Sequence, residues 1–211
     1  MKYSEFRDKV KSYPLFRSNI LEHLTDKPAI LRRQLVDWVK QGKVVQLKKG
    51  MYTLSSEDRS VNLSQYYLAN HLYSPSYISL ETALSYYGLI PERVCAITSV
   101  STKKTQRFKN TYGVFIYRHL KQAAYKDFEV VEDEYKNIFY IASPEKAIVD
   151  FFYFKVGELK EIDLDIFEQA FRLQNLQTLN KNKLKRIVAY FRHKKLSQII
   201  TLLIEFMEQI E

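Results

Sequence analysis

Three short helices followed by a β-hairpin are predicted for the first 54 residues, and this order leaves few folds open to the chain. The first helix carries Tyr3, Phe6 and Val10 at helical spacing. Ser18 is a suitable N-cap for the second helix, and the polar residues 26–28 form a turn after it. A helix, a turn and a further helix are therefore expected in sequence.

The third helix is amphipathic, and Gly42 ends it. Its apolar face consists of Leu31, Leu35, Trp38 and Val39, and we expect Trp38 to lie in the core. Two β-prone runs, 44–47 and 51–54, follow directly, and a Lys-Lys-Gly tip at 48–50 joins them. Helix, turn, helix and hairpin in this order predict a winged helix-turn-helix.

In a winged helix-turn-helix, the second helix of the pair enters the major groove and the wing approaches the neighbouring backbone. Arginine and glutamine can form paired hydrogen bonds with base edges, whereas lysine suits contact with phosphate. The expected groove contacts are Arg32, Arg33, Gln34 and Lys40, and the expected backbone contacts are Lys48 and Lys49. Double-stranded DNA is then the partner. Winged helices also serve as protein-interaction modules, so a non-catalytic adaptor that uses this unit and the C-terminal helices is the alternative.

Positive charge is concentrated in two parts of the chain, whose net charge is +9. Residues 1–54 contain 12 Lys and Arg against 5 Asp and Glu, and residues 181–195 contain 7 against none, so each segment carries +7 and the rest −5. Such concentration is typical of a polyanion binder, because neutralised phosphates release counterions. Solvated helix faces are the alternative. The second basic surface, which could meet DNA, RNA or an acidic partner, consists of Lys183, Lys185, Arg186, Arg192 and Lys194.

The polar stretch 55–64 marks a boundary, after which helices and strands are mixed. Ser79 is a suitable cap for a helix that Gly88 ends, and a later helix begins at Pro144. β-prone runs predict strands of an antiparallel or mixed sheet at 96–101, 114–120, 128–131 and 138–141. The expected fold class is α+β, with a winged helix-turn-helix at 1–58, a mixed α/β domain at 59–157 and a C-terminal helical subdomain at 158–211.

Three sequence blocks and a short motif carry a resemblance to a known family. The blocks are KKGMYTL at 48–54, SYISLETALSYYGLIPE at 76–92 and YIASPEKAIVDFFYF at 140–154, and the motif is RHL at 118–120. In this order they resemble the AbiEi-type antitoxin family of type IV toxin–antitoxin systems, over residues 16–155. The family positions fall on Tyr77, Ser79, Glu81, Gly88, Pro91, Pro144, Glu145, Lys146 and Asp150.

The resemblance implies a DNA-binding transcriptional autorepressor that binds its own operator through the winged helix. It also implies that the α/β region is an antitoxin domain, which counters a nucleotidyltransferase-like toxin without requiring a stable complex. The antitoxin role follows from the resemblance alone. For the motif positions the alternative to partner contact is architectural: a helix cap, apolar packing, a stop glycine, and a local ion pair of Glu145 or Lys146.

An enzyme is not expected, and neither is a cofactor or a metal. A metal-dependent nuclease is the third hypothesis, but Glu145 and Asp150 lie about 140° apart round a helix and would not share a face to hold Mg²⁺. The histidines are scattered, the glycines are not grouped, and Cys95 is expected to be a small buried residue. The chain lacks the roughly 18 consecutive apolar residues of a membrane helix, so we expect a cytoplasmic protein without a membrane partner.

Overall fold

The computed structural model describes residues 1–159 and 163–209, which form helices and two β-sheets. The elements of residues 1–54, called here the N-terminal unit, begin with the helices α1 (Tyr3–Val10), α2 (Leu21–Leu24) and α3 (Pro28–Lys40). Its strands are β1 (Phe16–Arg17), β2 (Val44–Lys48) and β3 (Met51–Leu54). The three predicted helices and the hairpin are therefore present. The expected N-cap is wrong, because Ser18 begins a 3₁₀ turn, Ser18–Ile20, and Ile20 occupies the N-cap position of α2.

The N-terminal unit has an apolar core of its own, centred on Trp38. The ring of Trp38 lies 5.2 Å from that of Tyr3 and 4.9 Å from that of Phe6, centroid to centroid. Leu31 and Leu35 add the rest of the buried face of α3, as the helical spacing predicted. Aromatic rings at such distances bury much apolar area and pack specifically. The prediction that Trp38 belongs to the core is confirmed.

An antiparallel sheet of order β1-β3-β2 completes the N-terminal unit. Phe16 of β1 pairs with Tyr52 of β3, and their rings stack at 5.9 Å. The turn between β2 and β3 contains Gly50 at φ +76°, a backbone conformation that favours glycine. The main-chain oxygen of Gly50 also accepts a hydrogen bond of 3.0 Å from the N–H of Ser18, so the turn is tied to the segment before α2.

The rest of the chain, called here the larger unit, is built on a six-stranded mixed sheet. Its first elements are α4 (Gln65–Leu72), β4 (Ser76–Ile78), α5 (Leu80–Tyr86), β5 (Ala96–Ser101), β6 (Gln106–Asn110), β7 (Gly113–His119), β8 (Phe128–Glu132) and β9 (Ile138–Ala142). The strand order is β6-β7-β5-β4-β9-β8, with β5/β7 and β4/β9 parallel and the other neighbours antiparallel. The chain is thus a mixed α+β fold, as predicted.

All four strands predicted for the larger unit are present, and its strands β4 and β6 were not predicted. Strand β4 has only three residues and continues into α5 after a single residue, so no alternation could identify it. Strand β6 lies at the edge of the sheet and consists mainly of exposed polar residues. Such edge strands lack the apolar face on which strand prediction depends.

Three helices close the larger unit: α6 (Pro144–Lys155), α7 (Lys181–Ala189) and α8 (Lys194–Gln209). Asn180 caps α7 through a 3.0 Å hydrogen bond from the N–H of Lys183 to Oδ1. Phe152 on α6 packs against Phe167, and Phe167 packs against Phe206 on α8, each at 5.7 Å. One apolar core therefore crosses the predicted boundary at residue 157. Residues 160–162 and 210–211 of the predicted subdomain 158–211 lie outside the described residues.

The hairpin β2–β3 also contacts the larger unit. Leu47 and Met51 are buried in the core of the larger unit, not in the core around Trp38. The main-chain oxygen of Leu47 accepts a 3.1 Å hydrogen bond from Nδ2 of Asn110 on β6. Arg59, in the connecting segment, donates a hydrogen bond to the hydroxyl of Tyr112. The two units are joined by side-chain packing as well as by the chain.

Candidate nucleic-acid interface

Helix α3 exposes basic side chains on the face opposite its buried stripe. Arg32, Arg33 and Lys40 are exposed, while Leu35 and Trp38 hold the helix against the core. The helix begins at Pro28, a residue suited to the first helical position because it lacks the N–H that would be unpaired there. Helix α3 therefore presents Arg32, Arg33 and Lys40, three of the four predicted groove residues, at the surface.

Two of the four predicted groove residues are not fully free at the surface: Arg32 has an ion-pair partner, and the amide oxygen of Gln34 is buried. Arg32 forms a 2.7 Å ion pair with Glu22 of α2, and both side chains are about half exposed. Such a pair is weak, about 0–1 kcal/mol, so it can open when a phosphate competes. Gln34 is only partly exposed, and its buried Oε1 has no hydrogen-bond partner among the described residues. Arg33 and Lys40 form no ion pair with a carboxylate in the described part of the chain.

The outward face of α3 also carries apolar and acidic groups. Ile30 and Val36 are each 53 % exposed, and Asp37 is exposed beside them. Apolar side chains can contact the methyl group of thymine in a major groove, but they also suit contact with a protein. The exposed face of α3 therefore combines basic, acidic and apolar side chains. Its net positive charge comes from Arg32, Arg33 and Lys40.

Lys48 at the hairpin tip does not point outward as expected. Its ammonium donates a hydrogen bond to the main-chain oxygen of Leu72 at the end of α4 and lies 5.6 Å from the ring centre of Phe108. Burial, together with the positive charges of Arg17 and Lys103, lowers the pKa of Lys48 below its usual value. The expectation that Lys48 contacts the DNA backbone is therefore corrected: the tip is folded against the larger unit. Lys49 is exposed.

The surroundings of Lys48 contain basic residues that the sequence analysis missed. Arg17 of β1, His71 of α4 and Lys103 after β5 surround the hairpin tip. Burial first, and then the charge of Arg17, lower the pKa of His71, although a hydrogen bond from its ring to the oxygen of Tyr67 opposes this. No spacing in the sequence links residues so far apart. The only sequence feature that pointed to a basic site here was the concentration of lysine and arginine in residues 1–54. That feature did not distinguish Arg17 from the other basic residues.

The second predicted basic surface is partly neutralised within the larger unit. Lys183 forms a 2.8 Å ion pair with Glu145 and lies 3.8 Å from Glu129, and Arg186 forms a 2.6 Å ion pair with Asp127. The remaining predicted residues, Lys185, Arg192 and Lys194, are exposed. The described structure thus leaves three of the five predicted cations at the surface without a carboxylate partner.

The two longer motif blocks meet in a buried polar cluster. Asp150 of α6 accepts hydrogen bonds at Oδ2 from the hydroxyls of Tyr77 (2.9 Å) and Ser79 (2.8 Å), and its Oδ1 forms an ion pair with Lys146 one turn earlier. Lys146 and Asp150 are both 0 % exposed. Ser79 occupies the N-cap position of α5, as predicted, but its hydroxyl makes no capping hydrogen bond and donates to Asp150 instead.

Burial and charge shift the pKa values in this cluster in the directions expected of a closed ion pair. Burial lowers the pKa of Lys146, and the Asp150 carboxylate opposes that shift. Burial and the neighbouring Asp150 charge raise the pKa of Tyr77 well above its usual value. These groups are held inside the protein, so direct partner contact is not available to them in this conformation.

Glu145 faces the helical end of the larger unit. One of its oxygens accepts a 3.0 Å hydrogen bond from the N–H of Asn180, and the other pairs with Lys183. Burial alone would raise the pKa of Glu145, but these partners hold it below its usual value. Glu145 and Asp150 therefore serve different partners. Of the other motif positions, Gly88 adopts φ +65° after α5, Pro144 starts α6, Glu81 is partly exposed and Pro91 is exposed.

One further expectation is corrected, because Cys95 is exposed and not buried. Across residues 1–159 and 163–209, no three or more His, Cys, Asp or Glu side chains gather as a metal site would require. Among the helices of those residues, none combines the length and the apolar character needed to cross a bilayer. Comparison of the chain with protein-family models gives no match, and comparison with curated proteins gives none either.

Proposed function

We propose that this chain is a DNA-binding transcriptional autorepressor and the antitoxin of a type IV toxin–antitoxin pair, acting against a nucleotidyltransferase-like toxin. The observation that carries the DNA-binding half is the exposed face of α3, where Arg33 and Lys40 stand opposite a buried stripe. In this proposal α2, α3 and the hairpin β2–β3 form a winged helix-turn-helix, and α3 is the helix that enters the major groove.

The contacts of each basic residue determine its proposed role. Arg33 is free to read a base edge, and Lys40 and Lys49 are free to contact phosphates. Arg32 joins them when its exposed pair with Glu22 opens. Lys48 takes no part, because its side chain is turned toward the end of α4 and the ring of Phe108 in the larger unit.

A gel-shift assay on the DNA directly upstream of the chain's own coding sequence tests this half. We expect the wild-type chain to bind, and the double variant Arg33→Ala with Lys40→Ala to bind at least about tenfold more weakly, since one good base contact contributes about 1–3 kcal/mol. The matched control removes two equally exposed cations from the other basic surface, Lys185→Ala with Lys194→Ala. Equal losses in the two double variants would argue against α3 as the binding face.

The antitoxin half is supported by the sequence blocks at 76–92 and 140–154. Tyr77 and Ser79 from the first block bond to Asp150 from the second, and so tie β4 and the residue after it to α6, as expected of a signature that specifies one domain. Co-expression with the product of the adjacent reading frame tests this half. We expect the full chain carrying Arg33→Ala and Lys40→Ala to restore growth without repressing transcription from its operator. In this proposal DNA binding uses the N-terminal unit and the antitoxin activity uses the larger unit. Failure of the wild-type chain to restore growth would remove the antitoxin role.

A second candidate function is a protein-interaction adaptor, and Ile30 and Val36 favour it. Two large apolar side chains on α3, each more than half exposed, suit a protein partner. In that case binding of the partner would depend on Ile30 and would change little with salt. Retained operator binding in Ile30→Ser, lost steeply as salt rises, would favour the repressor instead.

A further inference from the structure

Two adjoining cavities lie where the hairpin tip meets the larger unit. The first has a volume of about 360 Å³, and its wall includes Arg17, Lys48, Lys49 and Lys103. The second has a volume of about 420 Å³, and its wall includes Tyr125, Phe128 and Tyr140. Arg17 and His71 line both cavities, so the basic cavity opens beside the aromatic one. Each volume falls within the range of small-molecule sites.

The first cavity holds positive charge that the protein itself does not neutralise. Lys103 donates a 2.5 Å hydrogen bond to the main-chain oxygen of Ser74, and Lys48 donates one to that of Leu72. Both acceptors are neutral. The described residues that line the two cavities include no Asp or Glu. Arg17 and Lys49 form no ion pair with any carboxylate of residues 1–159 and 163–209. Four cations in a concave site favour an anion, and phosphate is one of the anions that guanidinium and ammonium groups bind well.

The second cavity offers aromatic surface beside this charge. The ring of Phe128 lies 5.2 Å from that of Tyr125 and 5.9 Å from that of Tyr140, which is 43 % exposed. Ser76 adds a polar residue to this wall. Partly exposed rings and a polar group suit a nucleobase.

We propose that these cavities bind a nucleoside phosphate, with the phosphate between Arg17 and Lys103 and the base against Tyr140 and Phe128. The ligand is either a free nucleotide or the phosphorylated end of a single-stranded nucleic acid, since both present this chemistry. The ligand would contact β1 and the hairpin tip together with the larger unit, and would fix the two units relative to each other. The inference is independent of duplex binding by α3.

Isothermal titration calorimetry on the full chain tests the site, with the four nucleoside monophosphates and a 5′-phosphorylated single-stranded oligonucleotide as probes. We expect at least one of these to bind at least about tenfold more tightly than adenosine or inorganic phosphate alone, because both cavities must be filled. Tighter binding of a mononucleotide assigns the site to a free nucleotide, and tighter binding of the oligonucleotide assigns it to a chain end. Absence of binding by all of these probes overturns the proposal.

Matched variants locate the binding. We expect Arg17→Gln to weaken it about tenfold, as for a lost charge-assisted contact, and Tyr140→Ala to weaken it about 5- to 100-fold, as for a lost stacking partner. Lys104→Gln and Tyr135→Ala, which alter exposed residues outside both cavities, should leave it unchanged. Unchanged binding in Arg17→Gln and Tyr140→Ala overturns the proposal. The variant Arg33→Ala with Lys40→Ala should bind the nucleotide normally, which separates this site from the failure or success of the proposed function.

Discussion

Asp150 and Lys146 show how single residues decide the interior of the larger unit. Two charges removed from water are costly unless their remaining polar atoms are bonded. Tyr77 and Ser79 occupy one oxygen of Asp150 and Lys146 the other, while the Lys146 ammonium lies 4.8 Å from the ring centre of Phe191. Each of the two charges has the other as its partner, so removing either Lys146 or Asp150 leaves a buried charge unpaired.

Asp150→Ala should therefore lower the free energy of unfolding by about 3–5 kcal/mol, because it strands the Lys146 ammonium. Tyr77→Phe removes one hydrogen bond to a charged group and should cost about 2 kcal/mol. Urea denaturation followed by circular dichroism measures both. Asp26→Ala, at an exposed position, serves as the control, and an Asp150→Ala loss no larger than that of Asp26→Ala would contradict this role.

The sequence allowed part of this cluster to be predicted. Lys146 and Asp150 are four residues apart, a spacing that places both on one face of a helix. Tyr77 and Ser79 lie some seventy residues away, and the tertiary fold, including the parallel pairing of β4 with β9, brings them to α6. The prediction that Cys95 is buried was wrong for another reason. The burial of cysteine is a preference of the residue type, and a loop before an internal strand overrides it.

At the scale of elements, the helix-and-hairpin pattern of the N-terminal unit was predicted well because each element has its own local signal. Helical spacing gave α1 and α3, and the Lys-Lys-Gly tip gave the hairpin β2–β3. The contact between the hairpin tip and the larger unit could not be predicted. The residue pattern within a strand does not show which distant part of the chain packs against its end. For this reason Lys48 was expected to face the DNA backbone, whereas its ammonium contacts the oxygen of Leu72.

Gly50→Ala tests how much the hairpin depends on its turn. Gly50 has φ +76°, and an added Cβ would lie 3.4 Å from Oγ of Ser18, so we expect a loss of stability of about 1–2 kcal/mol, mainly from backbone strain. Gly157→Ala is the matched control, because its φ lies outside the left-handed region and no heavy atom lies within 4 Å of the added Cβ. Thermal unfolding measures both variants, and similar losses would show that the turn conformation is not limiting.

The whole molecule is organised around the hairpin, which belongs to two cores. Val44 and Leu54 pack with Trp38, whereas Leu47 and Met51 pack with the larger unit. The basic cavity lies where the two units meet, and Arg17 of the N-terminal unit also lines the aromatic cavity. Their residues Arg17, His71 and Lys103 are scattered along the sequence, so neither periodicity nor a motif could have grouped them.

Shared packing of this kind predicts that the two units unfold together. Trp38 is the single tryptophan and reports on the N-terminal core, while far-UV circular dichroism reports on the whole chain. The two signals should change at the same urea concentration in the wild-type chain. In Leu47→Ala the packing at the junction is reduced, and the two midpoints should separate. Separate midpoints already in the wild-type chain would contradict the coupling.

The most direct test of the proposed DNA-binding surface is the dependence of operator affinity on salt concentration. Each phosphate contact adds about 0.9 to the slope of log affinity against log salt. Lys40→Ala with Lys49→Ala should therefore reduce the slope by about 2, whereas Lys48→Gln, at a residue bonded to Leu72, should leave it unchanged. A slope that stays the same in the double variant, or that falls only in Lys48→Gln, would contradict the assignment of α3 and the exposed side of the hairpin tip to DNA.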